Sequence, residues 1–104
     1  MSEQLRLFEA EDYTLEELSD TKHHQVLLDE LHALWREKNE RYGDSFSQVY
    51  EELGDVSALT QVLHKVGRLK TLVSNEALDD DERENLDDTI KDLANYCVMW
   101  LMER

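Results

Sequence analysis

Two acidic side chains near the end of the chain have the spacing of a metal-binding pair. Asp88 and Asp92 are four residues apart, so on a helix they share one face, and Asn95 continues that face. Mg²⁺ prefers carboxylate oxygens and usually takes one or two of them, completing its shell with waters and substrate phosphates. We therefore expect Asp88 and Asp92 to bind Mg²⁺, or Mn²⁺ in its place. The alternative is that both are ordinary exposed acids near the start of a helix.

Basic residues in the middle of the chain reverse the local charge of an otherwise acidic protein. His64, Lys65 and Arg68 share one side of a predicted helix, and Lys70 is close by. Lysine and arginine are the side chains that most often bind phosphate oxygens. This strip therefore predicts a phosphate site. The alternative is a solvated helix face that offsets the surrounding acids.

A further polar group interrupts an apolar stripe at the end of the first long helix. Lys38 falls in the centre of this stripe, with Tyr42 one turn later and Asn39 at its border. The lysine either extends past the helix end into water or meets an anion. Because the turn at Gly43 opens space there, Asn39 and Tyr42 would frame an anion site.

Helices must position all of these groups. The chain has no proline and three glycines, and its apolar residues recur three and four apart, which predicts an all-α fold. We expect an antiparallel bundle of about four helices. After a short first helix opened by a Thr14–Glu17 capping box, the predicted helices are: Asp20 or Thr21 to about Arg41, about Phe46 to Leu53, about Val56 to Val73, and about Glu84 to Met102. Gly43 and Gly54 separate the first three of these, and Asp44 or Ser45 caps the short one.

Length and charge restrict the classes of function. The 104 residues predict an arm at residues 1–13 and a single domain at residues 14–104. The formal charge of -14 repels nucleic acid and anionic membranes, so we expect neither general nucleic-acid binding nor membrane association. The single cysteine, Cys97, cannot form an intrachain disulfide, and no stretch has membrane-spanning length. We expect a soluble cytoplasmic protein.

The two long carboxy-terminal helices carry apolar stripes that should form the core. The residues expected to be buried are Val56, Leu59, Val62, Leu63, Val66, Leu69, Val73, Leu86, Ile90, Leu93, Ala94, Cys97 and Leu101. Met99, Trp100 and Met102 add apolar surface outside the last stripe, more than one small bundle covers. We therefore expect a homodimer or a higher symmetric oligomer, with a ligand pocket that can lie between subunits.

The polar residues occur in three spaced blocks, which run from Lys38 to Phe46, from Lys65 to Leu69 and from Asp88 to Tyr96. In this order they resemble the nucleotide modification associated domain 1 family, a phage and prophage family similar to the MazG-like all-α nucleoside triphosphate pyrophosphatases. The resemblance covers roughly residues 27 to 103. It implies a nucleotide ligand and Mg²⁺-dependent cleavage of an α-β phosphate linkage, which gives a nucleoside monophosphate and pyrophosphate. A phage-encoded protein of this kind would act in the host cytoplasm.

The resemblance also implies roles for single residues. Asp88 and Asp92 would hold the metal and act in catalysis together with Lys65. The nucleotide would be bound by Lys38, Asn39, Tyr42, His64, Lys65, Arg68 and Asn95. The acid that the family carries before its central lysine is His64 here, so the metal centre is either altered or absent. Glu37-x-x-Glu40 and Glu52-x-x-Asp55 match MazG-like acidic motifs as strings, which we interpret as coincidence because the second string spans the Gly54 break.

The sequence leaves three functions open. The first is a metal-dependent nucleotide pyrophosphohydrolase. The second is a non-catalytic protein that sequesters a nucleotide second messenger of host defence, since His64 replaces an acid while the basic residues remain. The third is an acidic helical module that binds another protein. The base recognised, the number of phosphates and the oligomer size are not specified by these patterns.

Overall fold

The computed structural model describes residues 19–75 and 78–104, and every regular element in these ranges is an α-helix. The helices are α1 (Asp20–Tyr42), α2 (Ser45–Leu53), α3 (Asp55–Ser74) and α4 (Asp80–Glu103). The predicted all-α class is confirmed. None of these four helices is both long and apolar enough to cross a lipid bilayer. The predicted arm and the Thr14–Glu17 capping box lie outside the described residues.

The chain divides into two units, one ending at Glu40 and the other spanning residues 41–104. The first contains nearly all of α1. This helix is capped by Ser19, whose Oγ accepts a hydrogen bond from the backbone N–H of Lys22 at 3.3 Å. We expected Asp20 or Thr21 in this role. Serine is an equally good capping residue, and the helix begins directly after it.

Two glycines separate α1, α2 and α3. Gly43 has φ +66° and Gly54 has φ +69°, values that strain any residue with a side chain. Both predicted breaks are therefore confirmed. Asp44 precedes α2 as expected, but its carboxylate accepts a hydrogen bond from the side-chain amide of Gln48 at 3.2 Å and none from a backbone N–H.

The last helix starts earlier than the predicted start near Glu84. Asp79 caps it, because its Oδ1 accepts the backbone N–H of Glu82 at 2.8 Å. Asp80 and Asp81 then lie in the first turn, where the helix dipole favours negative charge. The acids from Asp80 to Asp88 therefore all belong to α4.

Within the second unit, α3 and α4 pack side by side in opposite directions. Three side-chain pairs define this arrangement: Asp55 with Trp100, Lys65 with Asp92, and Asn75 with Glu82. The short helix α2 packs against both. The ring of Phe46 lies 6.0 Å from that of Tyr96, and the hydroxyl of Ser47 donates to the carboxylate of Glu103.

The second unit buries only part of the apolar stripes that we expected, since the half-buried members are Val62, Val66, Leu69, Leu86, Leu93 and Ala94. Ala58 is fully buried and Thr89 is 3 % exposed, whereas Leu63 is 56 % and Leu101 is 71 % exposed. The predicted burial is therefore wrong for Val56, Leu59, Leu63, Val73, Ile90, Cys97 and Leu101. Polar groups can share the contact between α3 and α4 because they satisfy one another there.

Candidate functional site

The antiparallel pair of α3 and α4 has one polar and one apolar face. Both helices are right-handed, and they run in opposite directions. Residues that are rotated by the same angle from the α3–α4 contact, counted along each sequence, therefore lie on the same side of the pair. The front face, as we call it, carries His64, Lys65, Arg68, Asp88, Asp92 and Asn95. The back face, on the opposite side, carries Val56, Leu59, Leu63, Ile90, Cys97 and Leu101.

An ion pair between Lys65 and Asp92 forms the centre of the front face. Nζ of Lys65 lies 3.2 Å from Oδ2 of Asp92, and the two side chains are only 26 % and 19 % exposed. The same ammonium lies 6.0 Å from the centre of the Tyr96 ring, within the range of a cation–π interaction. The central base and one of the two predicted metal-binding acids are thus brought together from different helices.

Arg68 and Asp88 lie one helical turn from this ion pair. Arg68 follows Lys65 by three residues and Asp88 precedes Asp92 by four, so in an antiparallel pair both lie toward the same end. Both side chains are exposed, and neither forms an ion pair with another residue of the described ranges. Both are therefore accessible to a ligand that contacts the ion pair.

The other predicted site residues differ in their surroundings. His64 is exposed on the front face and Asn95 is half-buried there. Tyr42 is 64 % exposed, and the guanidinium carbon of Arg41 lies 5.9 Å from the centre of its ring. Lys38 and Asn39 are exposed in the last turns of α1 and belong to the first unit. Their contact with a nucleotide stays a prediction.

The front face offers a small set of donors to a metal ion. Within residues 19–75 and 78–104, no group of three or more His, Cys, Asp or Glu side chains is arranged to hold one. Asp88 and Asp92 are nevertheless two carboxylates one turn apart on the same side of α4. This set fits Mg²⁺, which is commonly held by one or two carboxylates while waters and phosphates fill its other positions.

A second polar cluster, which the sequence did not reveal, surrounds Asp55 at the start of α3. Its Oδ1 accepts hydrogen bonds from the Tyr50 hydroxyl at 2.6 Å and from the Trp100 indole N–H at 2.7 Å. Its Oδ2 accepts one from Nη1 of Arg104 at 3.0 Å. The donors lie up to 49 residues away in the sequence, so no local pattern connects them. The indole N–H of Trp100 was the available signal, since it usually requires an acceptor.

These contacts shift two pKa values. The hydrogen bond from Tyr50, followed by that from Trp100, lowers the pKa of Asp55 below its usual value because both donors favour the carboxylate. The same hydrogen bond raises the pKa of Tyr50, since Asp55 accepts the proton that the phenol would lose. Asp55 therefore acts as a negatively charged clasp that joins the turn between α2 and α3 to the end of α4.

Comparisons with known proteins gave one match. A family model described as nucleotide modification associated domain 1 matches residues 38–103. This range contains all three polar blocks and every candidate site residue. No curated protein and no solved structure matches the chain.

Proposed function

The chain belongs to the nucleotide modification associated domain 1 family. On that premise, we propose that its front face binds the phosphates of a nucleotide and cleaves their α-β linkage with the help of a divalent cation. The products would be a nucleoside monophosphate and pyrophosphate. The observation that carries this proposal is the half-buried ion pair of Lys65 and Asp92, because it joins the lysine that we expect to bind phosphate to one of the acids that we expect to bind metal.

Binding begins with an exchange of partners at this ion pair. A triphosphate offers Lys65 several anionic oxygens in place of one carboxylate, and Arg68 can donate two parallel hydrogen bonds to the same chain of phosphates. When Lys65 turns to a phosphate, Asp92 is released from its pairing. Asp92 lies on the same side of α4 as Asp88, so the bound phosphates would lie next to two carboxylates.

Asp88 and Asp92 are the residues that would hold the cation. Mg²⁺ or Mn²⁺ bound there would neutralise phosphate charge and lower the pKa of a bound water. Lys65 and Arg68 would hold the phosphate chain in place and stabilise the negative charge that develops on its oxygens during cleavage. Asn95, on the same face of α4, would contact the nucleotide.

Incubation of the purified protein with ribo- and deoxyribonucleoside triphosphates in Mg²⁺ or Mn²⁺ tests this proposal. We expect equal amounts of nucleoside monophosphate and pyrophosphate, identified by mass spectrometry and ³¹P NMR. Lys65→Ala should abolish their release. Lys70→Ala is the matched control, because Lys70 is exposed on the same helix away from the front face, and it should leave turnover unchanged. The absence of pyrophosphate across the whole panel would exclude the hydrolase.

A second candidate function is nucleotide sequestration without turnover. It is favoured by His64, which stands where the family carries an acid and leaves the front face with two carboxylates, one of them already paired with Lys65. A nucleotide second messenger would then be bound by the same basic residues. Recovery of an intact nucleotide from the protein, with thermal stabilisation that does not require metal, would support this function, whereas recovery of cleaved products would exclude it.

The double variant Lys65→Ala with Arg68→Ala distinguishes both nucleotide functions from the third hypothesis, in which the chain is a helical module that binds another protein. Loss of nucleotide binding in this variant is expected for the two nucleotide functions. A protein-binding module that uses its acidic surface would keep its activity in the same variant.

A further inference from the structure

Lys65 has a second neighbour besides Asp92, which is the aromatic ring of Tyr96. Tyr96 follows Asp92 by four residues, so it lies one turn later on the same side of α4. The ammonium of Lys65 lies 3.2 Å from Oδ2 of Asp92 and 6.0 Å from the centre of the Tyr96 ring. A cation at this distance over an aromatic ring is attracted to its electron-rich face. The carboxylate and the ring therefore restrain the same ammonium.

The Tyr96 ring is packed in turn against α2. The ring of Phe46, in the first turn of α2, lies 6.0 Å from it at an interplanar angle of 37°, a separation that is typical of packed aromatic pairs. Both residues are half-buried, and α2 packs against both α3 and α4. A ring that is fixed in this way can hold a flexible lysine side chain in place.

These contacts join the three polar blocks of the sequence. Phe46 ends the first block, Lys65 begins the second, and Tyr96 ends the third. The two ring contacts bring one residue of each block together, although the three are distant in the chain. Arg68 and Asp88 lie toward the other end of the front face. A phosphate chain bound by Arg68 would therefore reach Lys65 from the end opposite the aromatic rings.

The carboxylate and the ring affect phosphate binding in opposite ways. Asp92 is an anion, so it competes with a phosphate for the ammonium of Lys65. The Tyr96 ring is uncharged and attracts the ammonium through its face, so Lys65 can keep this contact while it pairs with a phosphate. A side chain that is already held in place strengthens binding, because the ligand does not have to order it.

We propose that Tyr96, supported by Phe46, positions the ammonium of Lys65 for phosphate binding. Tyr96 is a positioning residue, because it acts through Lys65 and does not have to touch the ligand. This role rests on the proposed nucleotide function of the front face. Its effect has the opposite sign to that of Asp92, since removing the carboxylate strengthens metal-free phosphate binding and removing the ring weakens it.

Titration calorimetry with tripolyphosphate in EDTA tests the role of the ring. Tyr96→Leu removes the ring, and we expect binding that is about fivefold weaker, the change that corresponds to ordering one flexible side chain. Tyr96→Phe keeps the ring, and its affinity should stay within about twofold of the wild type. Tyr50→Leu is the matched control. It removes a hydrogen bond to Asp55 at the start of α3, so it should lower stability and leave the affinity unchanged.

Proton NMR gives a second readout, which reports on Lys65 directly and needs no ligand. The ring current of an aromatic side chain moves the signals of protons above its face upfield. The ε-methylene protons of Lys65, assigned by their loss in Lys65→Arg, should therefore resonate upfield of those of the exposed Lys70. We expect this shift in the wild type and in Tyr96→Phe, and its loss in Tyr96→Leu. Phe46→Leu, which leaves the Tyr96 ring without its support, should reduce it.

The possible outcomes distinguish a failure of this role from a failure of the phosphate site. A wild-type protein that binds no tripolyphosphate would refute the site itself, and with it any role of Tyr96 there. Wild-type binding that Tyr96→Leu leaves unchanged, or that Tyr96→Phe or Tyr50→Leu weakens equally, would overturn the role of Tyr96 alone. If circular dichroism shows that Tyr96→Leu is unfolded, Phe46→Leu decides instead: weaker binding with a smaller ring-current shift supports the role, and unchanged binding overturns it.

Discussion

Asp92→Asn separates the two roles that the front face gives to this carboxylate. The substitution keeps the shape of the side chain but removes the charge that pairs with Lys65 at 3.2 Å. We expect three effects: lower stability, stronger metal-free binding of phosphates, and loss of turnover. The second effect is the distinctive one, because removing an acid is expected to strengthen binding only if that acid competes with the ligand for Lys65.

The size of these effects follows from the ion pair. At an effective dielectric constant of about 20, unit charges at this distance attract each other by about 5 kcal/mol. Desolvation and side-chain ordering offset most of this, so we expect a net coupling of about 1–2 kcal/mol, between the values for exposed and buried pairs. Unfolding free energy should fall by about that amount in Asp92→Asn. Because a ligand no longer has to break the pair, phosphate affinity should rise by up to about tenfold, which corresponds to about 1.4 kcal/mol.

Tripolyphosphate in the presence of EDTA is a suitable ligand for this assay, because it requires neither a base nor a metal. Titration calorimetry gives the affinity, and urea denaturation gives the stability. Asp87→Asn is the matched control. It removes the same charge from an exposed position on a different side of α4, so it reports the general effect of net charge alone. Tripolyphosphate binding that is equal in both variants, or weaker in Asp92→Asn, would refute the competition between Asp92 and the ligand.

Three further substitutions test other parts of the structure. Asp55→Asn should lower thermal stability at pH 7 relative to wild type. Because the folded-state pKa of Asp55 is depressed, the stability difference should be complete above the ordinary aspartate pKa of about 4 and should disappear as the pH falls through the folded-state pKa. A stability difference that grows on acidification would contradict the clasp. Arg68→Ala should weaken tripolyphosphate binding while changing the unfolding free energy by less than about 0.5 kcal/mol, since the side chain is exposed and outside any ion pair of the described residues. Lys70→Ala is its control, and equal tripolyphosphate binding by both variants would exclude Arg68 from the site. Gly54→Ala should destabilise the protein by about 1 kcal/mol or more in urea denaturation because φ there is +69°, and an unchanged midpoint would show that the turn adapts.

The helices and their boundaries could be predicted largely because local rules set them. Gly43 and Gly54 end helices where positive φ excludes side chains, and such positions are recognisable in a sequence. The start of α4 is earlier than predicted because the acids from Asp80 onward form its first turn. With Asp79 as the cap, those acids lie at the positive end of the helix dipole, which is a favourable place for them.

The side of each helix that forms the contact could not be predicted from periodicity. The apolar stripe of α4 was expected to form the core, yet Ile90 and Leu101 are exposed and Thr89 is buried, while other members of the stripe are half-buried. An apolar stripe indicates that one side of a helix will be covered, but it does not indicate which element covers it. A charged pair such as Lys65 and Asp92 can lie at the contact between two helices because each charge has its partner. Spacing predicted that Lys65 shares a side of its helix with His64 and Arg68, and Asp92 with Asp88, but it did not predict the ion pair between the two helices. The clasp at Asp55 was not predicted either, because the donors Trp100 and Arg104 are distant from it in sequence.

Backbone amide NMR of the ¹⁵N-labelled protein, titrated with a deoxyribonucleoside triphosphate in Mg²⁺-free buffer and then with Mg²⁺, tests the central claim most directly. The first titration should shift the amides around Lys65 and Arg68 most strongly. Addition of Mg²⁺ should then shift those around Asp88 and Asp92. The largest shifts on the back face, or no shifts at millimolar nucleotide, would contradict a phosphate site on the front face.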